Sequence, residues 1–199
     1  MWKPVYASLT LMRDWLRIRN IEDTDDDALL RLKLSAASRA VDGTCLRQFG
    51  KVDAPVTRSY DMRWSRTWCS WVAEIDDIMD TTDLAFTLDD VVLTADQYSL
   101  RPRNAIADGE PYTYALITAN PTGPGVLAGL GLWGWGATWP DPITEATLLQ
   151  TSRLNIRRDS PYGIAGGAEG SGELRLLARL DPDIAPLVVD YVRTGWVAR

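Results

Sequence analysis

The sequence predicts an α+β fold in which N- and C-terminal helices pack as a small helical bundle with a β-rich insert between them. Three observations lead there. Apolar residues recur at helical spacing over the first fifty residues and again from Asp141 onward. Between them, β-branched and aromatic residues are punctuated by Gly, Pro and Asp pairs. The chain has 199 residues, enough for one domain that buries roughly 70% of its unfolded surface without a disulfide or metal. The expected layout is a single domain, 1–199, with a helical core from 5–49 and 141–193 and the insert at about 51–139.

Ser8 caps a first helix to about Arg17, with Leu9, Met12 and Leu16 at helical spacing. The acidic run Glu22 to Asp27 suits the positive end of a second helix, and Thr24 or Asp25 is placed to cap it. That helix runs from about Asp25 to Cys45 on a stripe of Leu30, Leu34, Ala37, Val41 and Cys45. A calcium loop starting at Asp23 would need Gly and Glu where Ala28 and Leu34 stand, so the acidic run is read as capping.

Strands are expected at 56–64, 68–75, 84–88, 91–93, 97–101, 112–118 and 126–135, with turns at Asp89-Asp90, Asp108-Gly109 and Asn120-Pro121. The uncharged stretch from Pro111 to Pro140 is broken by prolines and glycines, which excludes a spanning helix. Asp141-Pro142 opens a third helix, with Ile143, Ala146, Leu149, Leu154 and Ile156 expected on one face. Asp159-Ser160-Pro161 stops it, and the glycine-rich stretch 163–172 forms a loop. A last helix is expected after Asp181 or Asp183, running to about Arg193 with Pro186 in its first turn.

Composition removes whole classes of chemistry. With no histidine there is no Ser-His-Asp or Cys-His pair and no ordinary His-containing metal site. Cys45 and Cys69 are too few for a zinc tetrad or a disulfide scaffold; the sequence leaves a single bridge between them open, with free thiols the commoner case in a cytoplasmic protein. A net charge of −6 argues against a protein that coats nucleic acid. The start, Met1-Trp2-Lys3-Pro4, has no apolar signal-peptide run, so folding in a cytoplasm is expected.

Gly129-Leu130-Gly131-Leu132-Trp133-Gly134 matches a dinucleotide fingerprint, but no helix opens on it, and it reads as a Gly/Trp-rich strand. Glu74, Asp76, Asp77 and Asp80 offer carboxylates for glycoside hydrolysis, and Glu169 and Glu173 flank glycines, all without a recognisable signature. A Lys base would have to be Lys3, Lys33 or Lys51.

Nine tryptophans are the unusual feature. Trp64 and Trp68 share a strand parity and Trp71 opposes them, with Arg58, Arg63 and Arg66 nearby. Trp133, Trp135 and Trp139 close the insert. Core packing, a subunit interface and a ligand platform all fit, and the Trp-plus-Arg composition is that of an interface centre.

Three blocks of sequence carry a family resemblance. The first is Tyr6-Ala7-Ser8-Leu9 with Trp15-Leu16-Arg17-Ile18, then Asp23-Thr24-Asp25-Asp26-Asp27-Ala28-Leu29-Leu30 and Ala36-Ala37-Ser38-Arg39-Ala40-Val41-Asp42. The second is Trp133-Gly134-Trp135, Pro142-Ile143, Ala146-Thr147-Leu148-Leu149, Arg153-Leu154 and Arg157 to Gly163. The third is Arg179-Leu180-Asp181-Pro182-Asp183-Ile184-Ala185 with Tyr191. In this order the chain resembles the head-to-tail adaptor (connector) proteins of tailed bacteriophages, particularly those infecting actinobacteria. The insert from about 51 to 130 has no residue-by-residue match.

The resemblance implies a non-enzymatic virion protein of the neck, assembled in the host cytoplasm, with no cofactor, metal or membrane. It implies a ring of about twelve copies, closed by a heterologous interface, under the portal protein. That ring extends the DNA channel, lets genomic DNA pass without specific binding, and presents a surface to the next neck (stopper) protein. The candidate interface residues are Trp64, Trp68, Trp71, Arg193, Trp196 and Arg199, the last three expected to dock on the portal. The alternatives are a head-closure or stopper protein, typically a small β-barrel, and a Trp-rich carbohydrate-binding module or hydrolase.

Overall fold

The computed structural model describes residues 3–18, 24–119, 123, 125–159, 164–165, 174–175 and 182–193. The chain divides into two compact units, one gathering Lys3–Gln48 with Trp139–Thr194, the other built on Phe49–Thr138.

In the first unit, α1 (Leu9–Trp15) is capped as its sequence requires, the Ser8 hydroxyl accepting from the Leu11 amide at 3.1 Å. Helix α2 (Asp27–Cys45) buries the whole expected stripe together with Ser38. Its N-cap position is Asp26, one residue beyond the expected candidates, and the Asp26 side chain makes no cap bond. Helix α3 (Asp141–Asp159) packs along α2 on a face that keeps Ile143 and Ala146 of the expected one but is turned away from Ile156. Ile143, Ala146, Thr147, Leu148, Gln150 and Thr151 are buried, whereas Ile156 is 53% exposed. The buried hydroxyls of Thr147 and Thr151 return to the Ile143 and Thr147 carbonyls at 2.9 and 2.7 Å, and Ser38 does the same to Leu34 at 2.8 Å. Satisfied in this way, they pack as small residues in the seam.

The chain around Tyr6 is tied down from several sides. Its amide donates to Ser38, its hydroxyl to Asp42, and its carbonyl accepts from the Trp139 indole at 3.0 Å. The Arg39 guanidinium lies 3.0 Å from the Asp42 carboxylate and over the Tyr6 ring. Burial pushes the Asp42 carboxyl above its ordinary value, against the lowering pull of Tyr6 and Arg39. The final helix, α4 (Ile184–Val188), is followed by a 3₁₀ turn, Val189–Tyr191.

In the second unit, seven strands form one antiparallel sheet. They are β1 (Val56–Ser65), β2 (Ser70–Ile78), β3 (Asp80–Leu88), β4 (Val91–Val92), β5 (Tyr98–Arg101), β6 (Tyr112–Ile117) and β7 (Val126–Leu132). All seven fall where the sequence places strands, but their order, β4-β3-β7-β1-β2-β6-β5, inserts β7 between β3 and β1. β4 and β5 lie at opposite ends of that order, yet only residues 93–97 join them. A connection of that length spans at most about 18 Å, so the sheet must curl into a half-barrel. Phe86 of β3 meets Tyr98 of β5 edge-on at 5.0 Å, and Met62, Ala73, Ile75, Leu127 and Trp133 fill the interior. In the first unit, β8 (Ile164–Ala165) pairs with β9 (Leu174–Arg175) in a separate two-stranded ladder. The rest of the glycine-rich stretch 163–172 lies outside the described residues.

This corrects the expected fold class. The molecule is dominated by a seven-stranded antiparallel half-barrel with its own core, and is not a terminal-helix bundle carrying an insert. The reason lies at the chain ends: α1 has seven residues and α4 five, too short to act as bundle members. Among the described residues only α2 and α3 are long helices. Among the described residues no helix is long and apolar enough to cross a membrane.

Candidate functional site

The β1–β2 hairpin brings three of the six candidate residues together. Its strands pair Met62 with Ala73, Arg63 with Val72, Trp64 with Trp71 and Ser65 with Ser70. Residues 66–69 close the turn, with Cys69 at φ +46° and the Ser65 hydroxyl accepting from the Trp68 amide at 3.3 Å. The Ser70 hydroxyl ties the hairpin to β6 through the Ile117 carbonyl at 2.9 Å.

Because the chain reverses at 66–69, the parity expected from sequence is overturned. Trp64 and Trp71 are directly opposite and share a face, their rings 5.8 Å apart at 75°. Trp68 instead meets Tyr114 edge-on at 5.5 Å, and Tyr114 alternates with the core residue Ala115. Trp68, Tyr114, Ser65 and Thr67 line a shallow hollow of about 200 Å³. Trp64 is 52% exposed and Trp68 39%, while Trp71 is half-buried against the core. The edge-to-face angle leaves no pair of coplanar indole faces for a sugar ring to stack upon.

Trp133 and Trp135 do structural work. Trp133 is buried, donating to the Val56 carbonyl at 2.6 Å, with Tyr60 edge-on at 5.4 Å and Arg58 above it. Trp135 packs on Phe49. Of the tail candidates, Arg193 is half-buried, and its amide donates to the Cys45 carbonyl at 2.7 Å, satisfying an orphan acceptor at the end of α2. Trp196 and Arg199 lie outside the described residues.

The carboxylates are engaged. Asp76 accepts from the Tyr60 hydroxyl at 3.0 Å and pairs with Arg58 at 2.6 Å; Asp80 pairs with Lys51 at 2.7 Å; Glu74 lies 3.7 Å from Arg63. Lys51 and Thr82 hold the Asp80 carboxyl down at about 2, and burial, with Asp76 beside it, pushes the Tyr60 phenol far up. Neither Asp80 nor Tyr60 is poised as an acid or base near neutrality. Gly129 to Leu132 lie inside β7, and Gly134 follows it in an isolated β-bridge to Lys51, so no helix N-terminus opens on the fingerprint glycines. Among the described residues no cluster of three metal-ligating side chains occurs, and Cys45 and Cys69 are both free thiols.

No known family profile matches the chain, and no curated protein is similar to it in sequence. The fold does have solved counterparts. A chain in the neck of an empty GTA particle computed with C6 symmetry superposes with a TM-score of 0.55, at 19% identity, over 100% of this chain and 96% of its own length. A chain in the virion of a native gene transfer agent (GTA) particle matches with the same figures. A fold like this one therefore occurs, over its full length, in the neck of such a particle.

Proposed function

We propose that the protein is a structural component of a phage-type virion neck, and within the neck the head-to-tail adaptor. The full-length likeness of fold to a gene transfer agent neck chain carries this reading. The engaged carboxylates and the exposed tryptophans of the hairpin tip support a protein that binds proteins rather than one that turns over substrate. In this role copies associate in a ring under the portal and present a second surface to the next neck protein. Genomic DNA passes through the channel, and an acidic chain does not grip its phosphates. Trp196 and Arg199 are proposed to dock on the portal along with Arg193.

The curled seven-stranded sheet favours a second reading, the neighbouring head-closure or stopper protein. Particle mass by light scattering, with and without the cognate portal, separates the two. The adaptor reading expects a mass near about twelve copies, or a portal that gains about that number. A chain that ignores the portal but joins a portal already carrying another neck protein is the stopper. A monomer that joins neither ends the neck reading.

A further inference from the structure

Two exposed patches on the half-barrel unit match in chemistry and opposite charge. The first is the β1–β2 tip, where Trp64 on the face of Trp71 and Trp68 on the face of Tyr114 are carried with Arg63 and Arg66, all four exposed. Arg63 is 53% exposed in its side chain and lies 3.7 Å from Glu74. The second is the β3–β4 corner. Asp89 and Asp90 both have positive φ, +49° and +63°, in the two-residue turn between the paired Leu88 and Val91. Beside that turn the edge strand β4 leaves Val91 and Val92 each 64% exposed. Among the described residues no ion pair engages Arg66, Asp89 or Asp90. One patch is thus aromatic and basic, the other aliphatic and acidic.

The patches lie apart on the sheet. β7 and β3 separate β1 from β4, three strand spacings or roughly 14 Å along the sheet. Joining one patch to the other between two copies makes a heterologous contact, the kind that propagates until it closes. β4 is also where the sheet ends, and a two-residue strand flanked by acids resists pairing with an arbitrary strand while leaving its side chains available.

We propose that the Trp64/Trp68/Arg63/Arg66 tip of one copy docks on the Asp89/Asp90/Val91/Val92 corner of a second copy. This rests on the self-associating neck reading above and names its contact. The indoles cover the exposed valines, and Arg66 and Arg63 meet the corner carboxylates, which select the orientation more than they add affinity.

Cys69, a free and exposed thiol within the tip, supplies the probe. Val91→Cys places a second thiol on the proposed partner surface, and Ile106→Cys, in the β5–β6 connection, serves as the control. Each full-length protein is treated with a short bismaleimide at the concentration where light scattering finds the assembled particle. Val91→Cys is expected to give a ladder extending beyond dimer, absent from wild type and from Ile106→Cys. Adding Asp89→Asn and Asp90→Asn, which the positive-φ turn tolerates, is expected to weaken the ladder several-fold, as is raising the salt. A wild-type dimer linked through Cys69 means a two-fold, tip-to-tip contact and overturns the proposal. A particle of ring mass without a Val91→Cys ladder also overturns it, while leaving the neck reading standing. Cross-linking of Cys69 to portal alone assigns the tip to that partner instead. Failure to assemble under any condition, portal included, removes the neck reading and this contact together.

Discussion

The indole of Trp133 lies 3.0 Å from where a side chain at Gly129 would begin, so a strand with glycine on its inner face makes the bed for its own tryptophan. Phe86 closes the same space at 2.9 Å, and Gly131 meets Ile78 and Leu84 at 3.1 Å. What resembles a nucleotide-binding fingerprint is a packing solution, in which residues without Cβ let a buried ring fold back on β7. Gly129→Ala is therefore expected to cost about 1–3 kcal/mol by overpacking, and Trp133→Ala about 3–5 kcal/mol. Urea unfolding followed by circular dichroism measures both.

Two other glycines should respond in opposite directions. A Cβ on Gly134, at φ +130°, would meet the Gly50 carbonyl oxygen at 2.0 Å, so Gly134→Ala is expected to prevent folding of the half-barrel unit. Gly43, exposed within α2, has nothing within 4 Å of its missing Cβ. Gly43→Ala is expected to stabilise by about 0.5–1 kcal/mol through helix propensity. A thermal melt of each variant is sufficient.

The Tyr6–Asp42 bond should show its charge through pH. The folded Asp42 carboxyl titrates above its unfolded value of 3.8, so the folded chain holds the proton longer and this group's contribution to stability declines as pH rises through that window. Tyr6→Phe removes a hydrogen bond that favours the charged form, at a cost of about 1–3 kcal/mol. The gap between variant and wild type should be wide at pH 7 and narrow once Asp42 is protonated. An equal gap at both pH values would show that the loss is one of packing.

Asp80 has the opposite sign. Its folded carboxyl is held at about 2, below the unfolded 3.8, so its contribution is present above 3.8 and lost as pH falls toward 2. Melting temperatures of wild type and Asp80→Asn should converge over that interval and stay separated at neutral pH.

The thiols divide by environment. Burial pushes Cys45 up to about 11, whereas Cys69 is exposed. Reaction with an aromatic disulfide at pH 8 should label Cys69 in the native protein and reach Cys45 only in denaturant. Rapid labelling of both would show that the end of α2 opens.

Trp64→Ala removes a half-exposed side chain with one edge-to-face partner, so about 1 kcal/mol of stability is expected to go. Its larger effect should fall on particle mass in light scattering. If the ring forms unchanged, the tip is not an assembly surface.

Local chemistry made much of this protein legible in the sequence. Ser8 caps α1, the Leu30-to-Cys45 stripe is buried as spaced, and all seven strands fall in the stretches rich in β-branched and aromatic residues. These features depend on neighbours within a few residues. The buried face of α3 is legible only in part: Ile143 and Ala146 are buried as spaced, but Thr147 and Thr151 read as polar until their hydroxyls find carbonyls one turn back. The tryptophan faces were misjudged for a related reason: parity counted straight through residues 66–69 ignores that the chain turns back there and sets Trp64 opposite Trp71.

The sequence by itself determined the elements, the absence of histidine chemistry and the cluster of tryptophans. Only the tertiary structure decided that β7 enters between β3 and β1, that the sheet curls into a dominant half-barrel, and which indoles remain exposed. Strand order is chosen by contacts between residues far apart in the chain, and side-chain exposure by what those contacts cover. Neither is written in the spacing of residues along it.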